Sequence, residues 1–124
     1  MLGHGAGGGV GSPDLVAAAA AARRAALTVA LVEQPYRVAG RRSPAPAPQL
    51  DEAWISVLEH LRTGPLAGLP VVAGGRSSGA RVACRTAAAV GARAVLCLAF
   101  PLRPPGRPDA ASRLPELEAV AAPV

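Results

Sequence analysis

The sequence contains no lysine and no asparagine, and only one tryptophan, one tyrosine and one phenylalanine among its 124 residues. All 13 basic side chains are therefore arginine, and the formal net charge is +5. A composition dominated by Ala, Gly, Arg and Pro is typical of a GC-rich coding bias, so the basic character is weak evidence for a nucleic-acid partner. Because aromatic side chains that could stack on bases are nearly absent, we expect no nucleic-acid ligand.

Cysteine and histidine are also scarce, with two residues of each. Cys84 and Cys97 lie in a predicted helix and a predicted buried strand, without the spacing of a disulfide scaffold or a zinc site. We expect two free thiols, no metal and no cofactor. The longest Ala-rich run, residues 16–32, is interrupted by Arg23 and Arg24, and no basic segment precedes an apolar one in the first residues, so we expect neither a membrane span nor a signal peptide here. The expected location is the cytoplasm, without membrane contact.

Apolar segments of strand length alternate with helical patterns, which predicts an α/β fold with a mostly parallel sheet between two helical layers. The first eleven residues are expected to be a Gly-rich loop, because Met1 and Leu2 are too short for a strand. Ser12, as N-cap, with Pro13 and Asp14, predicts a helix start. Predicted helices cover 12–26, 50–63, 79–90 and 114–120; predicted strands cover 27–33, 70–74 and 92–100; predicted loops cover 34–49 and 101–108.

Residues 1–124 are expected to form part of one domain, truncated at both ends. About three central strands are predicted, and residues 121–124 would only begin another strand. Open strand edges expose backbone donors and apolar surface, so we expect aggregation, self-association or a protein partner at these edges.

The strongest local motif is the G-x-S-x-G of residues 75–79, placed between a predicted strand and a predicted helix. A nucleophile on such a turn requires Gly75 and Gly79, since a Cβ at either place would crowd the neighbouring strand or helix. Ser77 is then the candidate nucleophile, and the Ser78 amide the candidate oxyanion donor. The simpler interpretation is a Gly-rich turn with a serine N-cap.

A second Gly-rich segment, residues 3–9, precedes this motif. In a hydrolase it would supply the other oxyanion donor, from the amide of Gly5 or Ala6, with His4, Gly7 and Gly8 completing the loop.

The competing interpretation of the same segment is dinucleotide binding. Gly3, Gly5 and Gly8 satisfy G-x-G-x-x-G, and Glu33 follows where an acidic residue could bind a ribose. That fingerprint requires a strand before it and a helix that opens at its third glycine, and neither is predicted here.

A base for Ser77 is missing from the sequence pattern. The fold's usual order is serine, acid, histidine, but both histidines, His4 and His60, precede Ser77. Acidic residues do follow Ser77, at Asp109, Glu116 and Glu118. Without an imidazole the hydroxyl has no activating base, so this chain alone is expected to be inactive.

With these segments in view, the chain resembles α/β-hydrolase-fold proteins of the dienelactone-hydrolase-like kind. More narrowly, it resembles a group that includes a testis-expressed hydrolase-like protein, a subunit of the non-specific-lethal histone acetyltransferase complex and many bacterial members. The matching stretches are GHGAGGG (3–9), PYRVAGRRSPAP (35–46), AW (53–54), GGRSSGARVA (74–83) and FPLRPPGRP (100–108).

The resemblance implies a serine hydrolase acting on a small acyl substrate such as an ester or thioester. It implies Ser77 as nucleophile, the Ser78 amide as oxyanion donor and residues 4–8 as the oxyanion loop, with the acid and the histidine beyond residue 124. Arg103 stands where relatives usually have His, and Ser78 and Ala80 replace the more common Met and Gly around Ser77. The alternative is a non-catalytic α/β scaffold that binds protein partners.

Overall fold

The structure, a computed structural model, describes residues 1–124 and contains one all-parallel sheet of four strands. In chain order its elements are β1 (Leu2–Gly3), α1 (Pro13–Arg24), β2 (Leu31–Val32), α2 (Pro35–Val38), α3 (Ala47–Arg62), β3 (Val72–Arg76), α4 (Ser78–Thr86), β4 (Ala94–Leu98) and α5 (Leu114–Glu118). The strands lie in the order β2–β1–β3–β4. The predicted α/β class is confirmed, with four strands rather than three.

Strand β1 shows that the expectation of no strand at Met1 and Leu2 was wrong. Leu2 and Gly3 pair with β2 on one side and β3 on the other. The pairing extends beyond the strand, because Leu2 N–H donates to Ala30 O at 2.8 Å and Gly74 N–H donates to Met1 O at 2.9 Å. Two residues suffice here because neighbours on both sides satisfy their backbone groups.

The segment between α1 and α3 departs most from its sequence pattern. The strand predicted over 27–33 is reduced to β2, because β1 offers only two residues to pair, and Leu27 is 57% exposed. The loop predicted over 34–49 contains α2 and the first turn of α3. Helix α3 begins within the Pro-Ala repeat, where Pro48 occupies the first turn and its missing N–H leaves no helical bond unmade.

The remaining elements lie where predicted, with shifted ends. Strand β3 extends to Arg76 instead of ending at Gly74, and α4 begins at Ser78 and ends at Thr86. Strand β4 and helix α5 are shorter than predicted, and 101–108 contains no helix or strand, as expected. Residues 121–124 form no strand, although Val95 N–H donates to Pro123 O at 2.8 Å.

Right-handed crossovers place α1 on one face of the sheet and α3 and α4 on the other, which gives the three predicted layers. Burial alternates accordingly along the strands: Ala73 and Val95 are buried in the core beneath α3 and α4, whereas Val72 and Leu96 on the α1 face are more than a third exposed. No helix in the structure has the length and apolar character needed to cross a membrane.

Candidate active site

Ser77 lies at the carboxyl edge of the sheet, directly between β3 and α4. Its backbone has φ 51° and ψ −106°. A positive φ is uncommon for a residue with a Cβ, and such strain persists only where the surrounding structure enforces it. Ser77 N–H donates to Leu98 O at 2.9 Å, which fixes the turn against the end of β4. The half-buried Ser77 side chain is therefore held on a sharp, strained strand-to-helix turn.

The two glycines that flank this turn are required by packing. A Cβ on Gly75 would overlap the carbonyl oxygen of Gly3 and the backbone of Gly79. A Cβ on Gly79 would overlap the Gly3 carbonyl and approach His4 O at 3.0 Å. The absence of both side chains lets the start of α4 pack directly on β1, and this contact brings the segment after β1 to Ser77.

The Gly-rich segment after β1 lies against Ser77. An ideal Cβ on Gly5 would be 3.5 Å from Ser77 Cβ and 3.5 Å from Arg76 O. The N–H groups of Gly5 and Ala6 make no backbone hydrogen bond, whereas Gly8 N–H donates to Gly5 O at 3.2 Å. Ser78 is the first residue of α4, where N–H groups lack intrahelical acceptors. The structure thus places Gly5 against Ser77, which directly precedes Ser78 in the chain.

His4 has a structural role in this arrangement. Its ring is fully buried. The Gln34 backbone N–H donates to His4 Nε2 at 3.0 Å, so the proton of the neutral ring lies on Nδ1, which donates to Gly5 O at 2.8 Å. Both ring nitrogens are engaged, so His4 holds the loop and is not placed to accept a proton from Ser77.

Two side chains that the sequence analysis did not select orient the loop. Gln34 Nε2 donates to His4 O at 2.7 Å, and Tyr36 OH donates to Ala6 O at 3.1 Å. In a trans peptide the carbonyl and the following N–H point in opposite directions. Each bond therefore turns the next amide, that of Gly5 or Gly7, away from the donor. The Pro-Tyr-Arg block at 35–37 was the available sequence signal for Tyr36.

Tyr36 is suited to remain a hydrogen-bond donor. The ring is almost completely buried and packs edge-on against His4, with 6.2 Å between ring centroids. Burial raises the pKa of the Tyr36 phenol above its ordinary value, and the positive charge of Arg37 offsets this only in part. The phenol keeps its proton at physiological pH and can hold Ala6 O.

Arg76 connects the turn, the loop and helix α1. Its Nε lies 2.5 Å from Asp14 Oδ2 in the first turn of α1. Its Nη1 would be 3.2 Å from a Cβ on Gly5, so the guanidinium lies beside the loop. Ser12 occupies the N-cap position of α1 as predicted, but its hydroxyl donates to Gly9 O at 2.6 Å instead of capping the helix.

The other polar candidates lie away from Ser77 or are already paired. His60 is exposed in the last turn of α3, which leads towards β3 and so lies at the opposite, amino edge of the sheet. Glu116 makes a bidentate ion pair with Arg81, with N–O distances of 2.8 and 2.5 Å, and a longer contact with Arg85. Asp109 and Glu118 are exposed.

The environment of Glu116 keeps its carboxyl ionised. Burial by itself would raise the pKa of Glu116, but hydrogen bonds and the charge of Arg81, followed by the charges of Arg85 and Arg113, outweigh it and lower the pKa below its ordinary value. Arg85 also pairs with Asp51 at 2.8 and 2.6 Å, so the cluster joins α3, α4 and α5. Glu116 therefore anchors helices and does not serve Ser77.

The structure contains one of the two elements that a dinucleotide-binding segment requires: the strand before it is present, but the helix does not open at its third glycine. The preceding strand exists as β1, contrary to the sequence expectation, and Glu33 Oε1 lies 3.7 Å from the Cβ position of Gly9. However, helix α1 opens at Pro13 rather than at Gly8, so the third glycine does not lead into a helix N-terminus. The packing of Gly5 on Ser77 favours the oxyanion interpretation.

No three His, Cys, Asp or Glu side chains lie close enough together to hold a metal ion. An apolar cavity of about 350 Å³ opens between α2, α3 and α4, and Gln34, Trp54 and Gly79 are among its lining residues. Ser77 does not line this cavity.

Comparison with known proteins places this geometry in a family. A crystal structure of a protein from Xanthomonas campestris pv. campestris, described as a candidate hydrolase of the alpha/beta superfamily, is similar with a TM-score of 0.59 and 23% sequence identity. The match covers 90% of this chain and 64% of that one, so this chain spans less than two thirds of that protein. No curated protein matches the sequence significantly. The profile of the alpha/beta hydrolase domain matches residues 1–124, and the chain belongs to that family.

Proposed function

We propose that this domain is the nucleophile-bearing part of a serine hydrolase that cleaves an ester or thioester acyl substrate. The observation that carries the proposal is the strained backbone of Ser77 beside a loop with unpaired amides at Gly5 and Ala6. A structural turn has no need for a serine at positive φ when a glycine would adopt that conformation without strain.

In the proposed reaction the Ser77 hydroxyl is the nucleophile, and backbone amides stabilise the tetrahedral intermediate that it forms. Ser77 Oγ attacks the acyl carbon while its proton passes to an imidazole base, which later gives that proton to the leaving alcohol or thiol. The developing oxyanion accepts hydrogen bonds from Ser78 N–H and from Gly5 or Ala6 N–H. Collapse of the tetrahedral intermediate expels the alcohol or thiol and leaves an acyl-Ser77 ester, which water then hydrolyses.

The proposal requires a base that His4 and His60 do not provide, since one is fully engaged and the other lies at the far edge of the sheet. Positioned amides and a strained nucleophile supply binding and transition-state stabilisation, whereas proton removal needs an imidazole from elsewhere. This requirement makes the non-catalytic scaffold the second candidate, because a scaffold needs neither the base nor the hydroxyl.

We further propose a place in the dienelactone-hydrolase-like subgroup. Support comes from the PYRVAGRRSPAP segment, whose Tyr36 binds the loop carbonyl of Ala6. The FPLRPPGRP segment forms an exposed irregular loop directly after β4, at the same edge of the sheet as Ser77.

The test is covalent labelling of the native protein, as its host makes it, with a fluorophosphonate. We expect labelling at Ser77, complete loss in Ser77→Ala and Ser77→Gly, and unchanged labelling in the control Ser56→Ala, an exposed serine on α3. Ser77→Gly is also expected to raise the free energy of unfolding by about 1 kcal/mol, because glycine relieves the positive φ.

Two outcomes would decide against hydrolysis. Labelling that persists in Ser77→Ala would place the reactive group elsewhere. A folded native protein that is not labelled at all, and whose partner interactions survive Ser77→Ala, would establish the scaffold role instead.

A further inference from the structure

We propose that Cys84 and Cys97 form a reversible dithiol oxidation site, in which a peroxide-class oxidant converts the two thiols to a disulfide between α4 and β4. The two sulfur atoms are 3.5 Å apart. They are the only cysteines of the chain, and both are free thiols in this structure. The proposal is independent of whether Ser77 is a nucleophile.

The two cysteines lie on elements that pack directly against each other. Cys84 lies on the buried side of α4 and Cys97 on β4, so the side chains meet across the helix–sheet interface. A disulfide requires S–S of about 2.05 Å, so the sulfur atoms must approach by roughly 1.5 Å. Side-chain rotation about two Cα–Cβ bonds can supply a shift of this size.

The two thiols differ in accessibility, which sets the order of reaction. Cys84 is 4% exposed, and Cys97 is half-buried. Burial, together with the hydrogen bond to Cys97, raises the pKa of Cys84 to about 12, so Cys84 remains a thiol at neutral pH. The oxidant therefore meets Cys97 first, and Cys84 acts as the resolving thiol.

The reaction balances with peroxide alone. The Cys97 thiolate attacks one peroxide oxygen, an S–O bond forms as the O–O bond breaks, and the hydroxide leaving group takes up a proton to become water. The Cys84 sulfur then attacks the sulfenic sulfur, the S–S bond forms as the S–O bond breaks, and the departing hydroxide takes the Cys84 proton as a second water. Two thiols and one peroxide thus give one disulfide and two waters.

The bond would connect elements that position Ser77. Cys84 lies two turns along α4 from that residue, and Cys97 directly precedes Leu98, whose carbonyl accepts the Ser77 N–H. A disulfide here would link α4, which begins directly after Ser77, to β4, whose Leu98 carbonyl accepts the Ser77 N–H. Because cross-linking also restricts the unfolded chain, oxidation is expected to stabilise the fold.

The experiment treats the purified full chain with hydrogen peroxide and follows its intact mass and thermal unfolding. We expect a species lighter by two hydrogen atoms, return to the original mass with dithiothreitol, and a Tm higher by about 5 °C or more. Oxidation of Met1, the one methionine, adds an oxygen and is distinguished by mass.

Peptide mapping keeps the test valid even if cysteine variants fold poorly. Trypsin cleaves at Arg85 and Arg93, so the peptides that carry Cys84 and Cys97 separate unless they are cross-linked. In Cys84→Ala and Cys97→Ala the lighter species is expected to vanish. A wild-type chain that gains only oxygen atoms at Cys97, or that forms only cross-links between two chains, would overturn the proposal.

Discussion

The two glycine-rich segments of the site use glycine for different reasons. At the turn around Ser77, Gly75 and Gly79 have no room for a side chain, because each lies against the Gly3 carbonyl. In the loop after β1, Gly7 and Gly11 have no atom within 4 Å of an ideal Cβ. Glycine is therefore a packing requirement at the turn, whereas at these loop positions it leaves the backbone open to solvent and to a ligand.

The difference extends to how each segment is held. The turn is fixed by backbone packing of α4 on β1 and by the bond from Ser77 N–H to Leu98 O. The loop is fixed by side chains from the β2–α2 connection, Gln34 and Tyr36, that bind its carbonyl oxygens. Substitutions should accordingly act through steric overlap at the turn and through lost hydrogen bonds at the loop.

The largest effect is expected for Gly79→Ala. A methyl group there overlaps the Gly3 carbonyl, and neither backbone can move without separating α4 from β1. We expect the free energy of unfolding to fall by about 3 kcal/mol or more, measured by urea denaturation. The sign of this change separates steric overlap from helix propensity, because Gly→Ala inside an ordinary helix raises the free energy of unfolding by up to about 1 kcal/mol. Stabilisation by Gly79→Ala would contradict the close packing of α4 on β1.

At the loop, the largest effect is expected for Gln34→Met, which keeps the side-chain volume and removes the donor to buried His4 O. An unsatisfied buried carbonyl should lower the free energy of unfolding by about 1–2 kcal/mol. Gln34 Oε1 has no partner, so its removal should not add to this loss. The matched control is Gln49→Met at the exposed start of α3, which should change stability little. Equal losses of stability in Gln34→Met and Gln49→Met would show that the hydrogen bond from Gln34 does not stabilise the loop.

The sequence predicted the turn better than the loop for a physical reason. The G-x-S-x-G spacing is a local requirement of one tight turn, so Gly75, Ser77 and Gly79 could be selected without knowing the fold. The bonds of Gln34 and Tyr36 to the loop span 30 residues, and only the pairing of β1 with β2 brings these partners together. A two-residue strand has no alternating pattern of apolar and polar residues, so β1 could not be predicted from the sequence.

A smaller effect is expected from Glu116→Gln, which tests whether the helix of the turn depends on its ion pairs as well as on packing. The pKa of Glu116 is lowered in the folded protein by Arg81 and Arg85, which outweigh burial. A lowered folded pKa means that the carboxylate stabilises the fold above the unfolded pKa, about 4.3, and that this stability is lost as pH falls through the folded pKa. At neutral pH the variant should be less stable by about 1 kcal/mol.

Urea denaturation at about pH 7 and about pH 3 measures this dependence. The difference between wild type and Glu116→Gln should shrink at the lower pH, whereas the exposed control Glu118→Gln should show little difference at either pH. A wild-type advantage that persists unchanged in acid would show that the Glu116 charge does not hold α4 and α5 together.

The smallest effect is expected for Gly7→Ala, the counterpart of Gly79→Ala in the loop. An added methyl group meets no atom within 4 Å, and the backbone of Gly7 does not adopt a positive φ. Alanine restricts the unfolded chain more than glycine does, so the free energy of unfolding should rise by up to about 0.5 kcal/mol. Urea denaturation of Gly7→Ala and Gly79→Ala under the same conditions measures the two changes in the free energy of unfolding. Destabilisation by more than about 1 kcal/mol would mean that the loop, like the turn, uses glycine to fit a restricted space.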